Sequence, residues 1–338
     1  EYILPDGRIV LLPEEWFSKY ANLLEAGKES DKTIRLKRPF IGVIESILEK
    51  DRQSTSIKTL LSKEIPVPIG LKANLRSYQQ KGFSWLANLY LEGFGGCLAD
   101  DMGLGKTLQT LALLQYVYKP GNTTEAIRET IDLKKAESTS DCLFPMQSKE
   151  EENSRIAPQV PQIPEPVQKQ NRISPLHGTL IVVPTSLLHN WKREASRFTN
   201  LSMMEYNGSS PNEITRLKKY FDRYHLIFTT YGAMRNNIAT LSQYTFECIV
   251  LDESQNIKNS ESLTFRSAIQ LRSKHRLILT GTPIENSLKD LWAQFHFLQP
   301  ELLGNETTFS KHFINAIRQG DERMKDRLRQ LITPFILR

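Results

Sequence analysis

The sequence predicts an α/β fold on a mainly parallel sheet with helices on both faces, from three observations. Short aliphatic runs recur between residues 95 and 280. Each is nearly unbroken rather than alternating, the pattern of strands buried on both faces. Gly, Thr, Asp or Ser stands at their carboxyl ends, with amphipathic stretches between them, so ligand-binding residues belong along one edge of the sheet.

In chain order, "YILPDGRIVLL" (2–12) reads as a hairpin around Pro5-Asp6-Gly7. Helical patterning follows from Pro13 to Ala26, then at 39–50 and 55–63. Residues 1–66 are therefore expected to form a small, mostly helical accessory segment, joined through "IPVPIG" (65–70) to a main domain at 67–338. Its strands are "GGCLA" (95–99), "TLIVV" (179–183), "HLIFTT" (225–230), "ECIVL" (247–251) and "HRLILT" (275–280). Residues 119–178 break the pattern: seven prolines, "KEEE" and "PQVPQIPEPVQKQ" cannot bury much apolar surface, which predicts a mobile insertion.

Composition narrows the function class. The 338 residues are 39% hydrophobic and 24% charged, ordinary for a globular protein. Against 38 acidic residues stand 44 Lys and Arg, a formal charge of +6, which leans toward a polyanionic partner. Cys97, Cys142 and Cys248 are far apart, without metal-ligand or disulfide-framework spacing. No apolar run approaches the ~20 residues that span a membrane, and the start "EYILPDGRIV" lacks a signal-peptide pattern, so a cytoplasmic protein is expected. Beginning at Glu1 and stopping at Arg338, the chain reads as a piece of something longer.

The chemistry concentrates in "LADDMGLGKTLQTLALL" (98–114). A phosphate-binding loop needs backbone N–H groups converging at a helix N-terminus, glycines that let backbone approach the anion, a Lys for the β/γ-phosphates and a hydroxyl for Mg²⁺. Gly103, Gly105, Lys106 and Thr107 meet these needs between a strand and a helix, with Asp100 where the first glycine of the usual loop stands. "ECIVLDES" adds a strand ending in two carboxylates, expected beside the loop strand. Asp252 would hold Mg²⁺ through water, and Glu253 would orient and deprotonate the attacking water. Read alone, Asp252 would also suit a helix cap.

The order of elements resembles that of Swi/Snf-type ATPases, superfamily-two, helicase-like motors that translocate on duplex DNA. The likeness rests on "LRSYQQKGFSWL" (75–86), "LADDMGLGKT" (98–107), "LIVVPTSLLHNWKRE" (180–194), "IFTTYGAM" (227–234), "IVLDESQNIKN" (249–259) and "LILTGTPIENSLKDLWAQFHFLQP" (277–300). It implies a RecA-like P-loop NTPase lobe that uses ATP and Mg²⁺. It assigns Gln79 to the adenine edge, Gly103, Gly105, Lys106 and Thr107 to the phosphates, Thr107 and Asp252 to the metal, and Glu253 to the water. It places Gln255, in the "DESQ" variant of the box, and Thr280, Gly281 and Thr282 of "TGTP" in coupling hydrolysis to the DNA track; alone, "TGTP" would read as a simple turn. Thr185, Ser186, Lys192, Thr229 and Thr230 become candidates for phosphate contacts that position DNA without reading sequence.

In this family a second lobe completes the ATP site with arginine fingers, and the first lobe ends in a stretch like "LITPFILR" (331–338). The chain thus resembles lobe one alone, inactive or very weak by itself. The "DESQ" form and accessory segment resemble bacterial members, which implies a nucleoid-associated monomer acting on RNA polymerase or another DNA-bound protein. The alternatives are an ATP-regulated DNA-binding module without turnover, and an RNA helicase of the same superfamily.

Overall fold

The computed structural model describes residues 61–101, 103–118, 177–208, 214–281 and 287–338, together with four short strands nearer the amino terminus. β1 (Tyr2–Ile3) and β2 (Ile9–Val10) pair antiparallel, Tyr2 opposite Val10, as the hairpin reading expects. A second hairpin, β3 (Lys28–Ser30) with β4 (Thr33–Arg35), was not legible as strands. The helical patterns at 13–26 and 39–50, and nearly all of that at 55–63, lie outside the described residues.

The main domain begins with α1 (Ser77–Glu92), β5 (Gly96–Leu98) and α2 (Lys106–Val117). It continues through β6 (Thr179–Val183), α3 (Thr185–Phe198), β7 (Met203–Glu205), α4 (Ile214–Phe221) and β8 (Leu226–Thr230). Then come α5 (Tyr231–Asn236), α6 (Ile238–Leu241), β9 (Thr245–Asp252), α7 (Leu263–Gln270), β10 (Arg272–Leu279) and α8 (Leu288–Leu298). The short α9 (Glu306–Phe309) and α10 (Asn315–Arg318) precede α11 (Glu322–Ile332) and β11 (Ile336–Leu337).

Seven strands form one sheet in the order β11-β5-β10-β9-β6-β8-β7, every neighbouring pair parallel. The aliphatic runs explain it: all five residues of β6 and all but the first of β9 are buried, as a sheet covered on both faces requires. Each fully buried Leu, Ile or Phe contributes roughly 1.5–3 kcal/mol. The five expected strands are present; β7 and β11 are additional and too short for a periodic signal.

Two expectations are corrected. β9, with Asp252 at its end, does not lie beside the loop strand β5, because β10 runs between them and pairs with both. The expected insertion also closes earlier than residue 178: Tyr118 Oη donates to the His177 carbonyl (2.8 Å), and the buried Gly178 donates its amide to Tyr244 Oη (3.0 Å), so both residues are tied to the main domain. Residues 119–176 lie outside the described residues.

Candidate nucleotide site at the carboxyl edge of the sheet

Parallel strands bring all their carboxyl ends to one edge, and register sets the line of the site. Leu279 of β10 pairs with Leu98 of β5 on one side and with Asp252 of β9 on the other, and the Thr280 amide donates to the Leu98 carbonyl (3.1 Å). The start of the glycine loop, Thr280 and Asp252 therefore share a row across three strands. Two strand spacings, about 10 Å, separate the loop strand from the carboxylate strand.

The loop is shaped by backbone that only glycine adopts easily. Gly103 and Gly105 have φ of 84° and 83°, and a Cβ on Gly105 would stand 2.4 Å from Gln79 Nε2. Gly105 caps α2, so the first-turn amides of that helix, without intrahelical acceptors, face the loop that Lys106 closes. Lys106 Nζ donates to the Asp100 (2.7 Å) and Asp101 (3.1 Å) carbonyls. Asp100 is braced as well: its Oδ2 accepts from the Gln109 amide (3.0 Å), and the Gln109 side chain is fully buried. Thr107 is half-buried on the first turn.

Gln79 is buried with both amide ends engaged. Its Oε1 accepts from the Arg76 amide (2.9 Å) at the start of α1, and its Nε2 donates to the Leu104 carbonyl (3.3 Å). It therefore ties the first turn of α1 to the tip of the loop.

Asp252 ends β9 at 6% exposure. Its Oδ1 accepts from the Glu253 amide (2.9 Å), its Oδ2 accepts from Trp191 Nε1 (2.7 Å), and its carbonyl accepts from Tyr231 Oη (2.7 Å). Burial raises the carboxyl above its usual range and outweighs the Trp191 hydrogen bond and the Lys106 charge, which act the other way. Glu253 has φ 51° and ψ 60°, a left-handed conformation strained for a side chain of this size. Among the described residues it is the only non-glycine with positive φ. Gln255 Nε2 donates to Glu253 Oε2 (3.0 Å).

The remaining candidates divide. Thr280 is fully buried and Gly281 follows it, while Thr282 lies outside the described residues. Thr185 and Ser186 are exposed at the start of α3. Thr230 is half-exposed and caps α5 by accepting from the Ala233 amide (3.2 Å). β6 and β8 are neighbours, Val183 opposite Thr230, so these residues share one rim. Lys192 pairs with Glu205 (2.8 Å) at the surface. Thr229 is corrected: it is 1% exposed and its hydroxyl donates to the Tyr206 carbonyl (2.8 Å). In a strand covered on both faces, a polar side chain one residue short of the end satisfies backbone and cannot meet a ligand. Sequence reading missed Gln109, Trp191 and Tyr231, whose only signal was a polar or large aromatic residue inside an otherwise ordinary helix.

No group of three His, Cys, Asp or Glu side chains gathers as a metal cage among the described residues. The oxygens of Thr107 and Asp252 suit Mg²⁺, which is usually held by one or two carboxylates with substrate phosphates and waters completing its shell. Cys97 and Cys248 are buried and unpaired, and burial pushes the Cys97 thiol up to about 12, so both are inert. No helix among the described residues is long and apolar enough to cross a membrane.

Residues 78–338 match the SNF2-related domain family. The chain is 31% identical over 337 residues to the chromatin-remodeling ATPase INO80 of Lodderomyces elongisporus, covering 94% of this chain and 18% of that protein. It is 31% identical over 292 residues to the protein of the same name from Candida albicans, covering 81% and 17%. Among solved structures, the Sulfolobus solfataricus SWI2/SNF2 ATPase core in complex with dsDNA superposes with a TM-score of 0.58 at 35% identity, over 82% of this chain and 46% of that one. The chain thus spans less than a fifth of these curated relatives and under half of the solved core. These relatives are fungal and archaeal, and lend no support to the expected bacterial placement.

Proposed function

Since this chain belongs to the SNF2-related family, we propose that it is the ATP-binding lobe of a DNA-dependent ATPase that moves along duplex DNA and displaces or remodels proteins bound there. The observation that carries this reading is the single row formed by the glycine loop with Lys106, by Thr280 and by Asp252, followed by the strained Glu253.

In this reading Lys106 exchanges its two carbonyl partners for phosphate oxygens, and the first-turn amides of α2 meet the same anion. Thr107 and Asp252 would hold Mg²⁺, Asp252 through water. The metal's chemistry is neutralisation of phosphate charge. Glu253 takes the proton of the attacking water, and the strain in its backbone, together with the Gln255 contact, aims its carboxylate. Gln79 meets the adenine edge only by exchanging its bonds to Arg76 and Leu104, which links base recognition to the loop tip. In the coupling stretch of Thr280, Gly281 and Thr282, the two threonine hydroxyls switch hydrogen-bond partners when the γ-phosphate leaves.

The rim formed by Thr185, Ser186 and Thr230 takes DNA phosphates, and Lys192 joins them by giving up Glu205. Such contacts position DNA without reading it, and their affinity falls steeply with salt. The curated relatives are named as chromatin-remodelling enzymes, which favours chromatin proteins over RNA polymerase as the displaced partner. A second lobe supplies the arginine fingers, so turnover by this chain alone is lower by about 10³-fold or more.

The test is ATP turnover by this chain and by a protein joining it to a second lobe, each with duplex DNA, single-stranded DNA and RNA in parallel. Strong stimulation by duplex alone, and only in the two-lobed protein, is expected. Stimulation by RNA above duplex, or indifference to all three, overturns the reading.

A further inference from the structure

We propose that the Trp191 indole is a positioning residue that carries the state of the DNA-facing rim to the Asp252 carboxylate, with Tyr231 as the matching link from the second rim element. This inference rests on the proposed function and adds to it a route between the two sites. Sequence reading placed that route in "TGTP" and Gln255; the geometry points to a second and shorter one.

Two independent hydrogen bonds converge on one residue. α3 opens at the rim with Thr185 and Ser186, and of its side chains only Trp191 and Ala195 are buried. Trp191, at 2% exposure, is the larger of these two, and its Nε1–H ends on Asp252 Oδ2 (2.7 Å). From Ser186 to Trp191 is five helical steps, about 7.5 Å along the axis. Leu187, Leu188 and Phe198 of the same helix pack partly buried against the core, so a contact at the rim that displaces the helix displaces the indole with it. The second rim element is more direct still. Thr230 is followed immediately by Tyr231, itself buried, whose hydroxyl donates to the Asp252 carbonyl (2.7 Å).

The two bonds act on different parts of Asp252. Tyr231 grips the main chain at the strand end, while Trp191 occupies one of the two carboxylate oxygens and so sets the plane of the group. A metal-bound water needs that plane to be correct, and partners that orient a metal-site carboxylate typically matter 10- to 100-fold in affinity or activity. Phosphate contacts that shift α3 or α5 therefore change how Asp252 presents itself, and by linkage a bound metal–nucleotide changes the affinity for DNA by the same factor.

The experiment labels the 338-residue chain with 5-fluorotryptophan and follows its four tryptophans, Trp16, Trp85, Trp191 and Trp292, by ¹⁹F resonance, assigned by single Trp→Phe variants. A non-hydrolysable ATP analogue with Mg²⁺, and then a short duplex, are added, while binding of each is read separately by fluorescence anisotropy. The Trp191 resonance is expected to move with the nucleotide and again with the duplex. Trp292, whose indole donates to the Gly304 carbonyl (3.1 Å) rather than to a residue of the site, should stay. Duplex should change nucleotide affinity by a measurable factor that Trp191→Phe brings toward one and Tyr231→Phe reduces. The unchanged Trp85 and Trp292 resonances report that each variant is folded; if Trp191→Phe fails to fold, the wild-type resonance and Tyr231→Phe still decide. If both ligands bind but Trp191 does not respond to duplex, or the wild-type factor is one, or the variants keep it whole, this inference is overturned and the proposed function stands. If neither ligand binds, both fall.

Discussion

Glu247 and Asp252 stand on the same strand, β9, and both are buried, at 0% and 6% exposure, yet the fold treats their charges differently. Glu247, at the amino end, is matched: Lys274 Nζ lies 3.0 Å from one oxygen and Tyr90 Oη donates to the other at 2.8 Å. Asp252, at the carboxyl end, receives only an indole N–H and a backbone N–H, and no cation stands within salt-bridge distance among the described residues. A buried carboxylate met by dipoles alone is costly, and burial accordingly raises its carboxyl. The lesson is a division of labour along one strand: the amino end is built for stability, while the carboxyl end keeps an under-neutralised charge next to a strained residue, as functional sites do.

The comparison breaks most visibly at Glu253. Glu253→Gln in a protein carrying both lobes should lower turnover about 10³-fold, as expected of a removed general base, with nucleotide binding and the urea midpoint of unfolding nearly unchanged. A large loss of stability instead would make the left-handed Glu253 a structural element.

The opposite result belongs at the amino end. Lys274→Ala leaves Glu247 buried without its cation and should destabilise the chain by about 2–3 kcal/mol, less than for a fully buried pair because the ammonium is itself half in solvent. Urea unfolding measures this, and nucleotide affinity should stay within error. A loss of nucleotide affinity would mean that the two ends of β9 are not separable.

Tyr90→Phe removes one hydrogen bond to the same carboxylate and should cost about 1–2 kcal/mol by the same measurement. A neutral result would leave Lys274 as the sole support of Glu247.

The smallest effect concerns acid. His225 sits under the amino end, its ring edge-on to Tyr118 (4.8 Å between centroids) and its Nδ1 accepting from the Ser202 amide (3.1 Å). Burial pushes its pKa below the ordinary value, so the unfolded chain takes up a proton first as pH falls. Stability should then decline from about pH 6.5 downward to the lowered folded pKa, and be unaffected above that window. A thermal midpoint that drops below about pH 6.5 in the wild type and less in His225→Gln supports this; equal slopes would assign the acid sensitivity elsewhere.

Much of this was determined by the sequence itself. Unbroken aliphatic runs dictate strands covered on both faces, and the run "TLIVV" became β6 residue for residue. Glycines at 103 and 105, with Lys106 and Thr107 after them, dictate the loop because only glycine adopts that backbone cheaply. Those signals are local, spanning a few neighbours, and can be read without knowing what packs where. Only the tertiary structure decided the rest. It put β10 between the loop and Asp252, enclosed Thr229, engaged both ends of the Gln79 amide, tied Lys192 to Glu205, and brought Trp191 and Tyr231 onto Asp252 across 61 and 21 residues of chain. A hydrogen bond between distant segments depends on the order of strands and the pitch of helices, and no periodicity in the sequence encodes which partner a side chain will find.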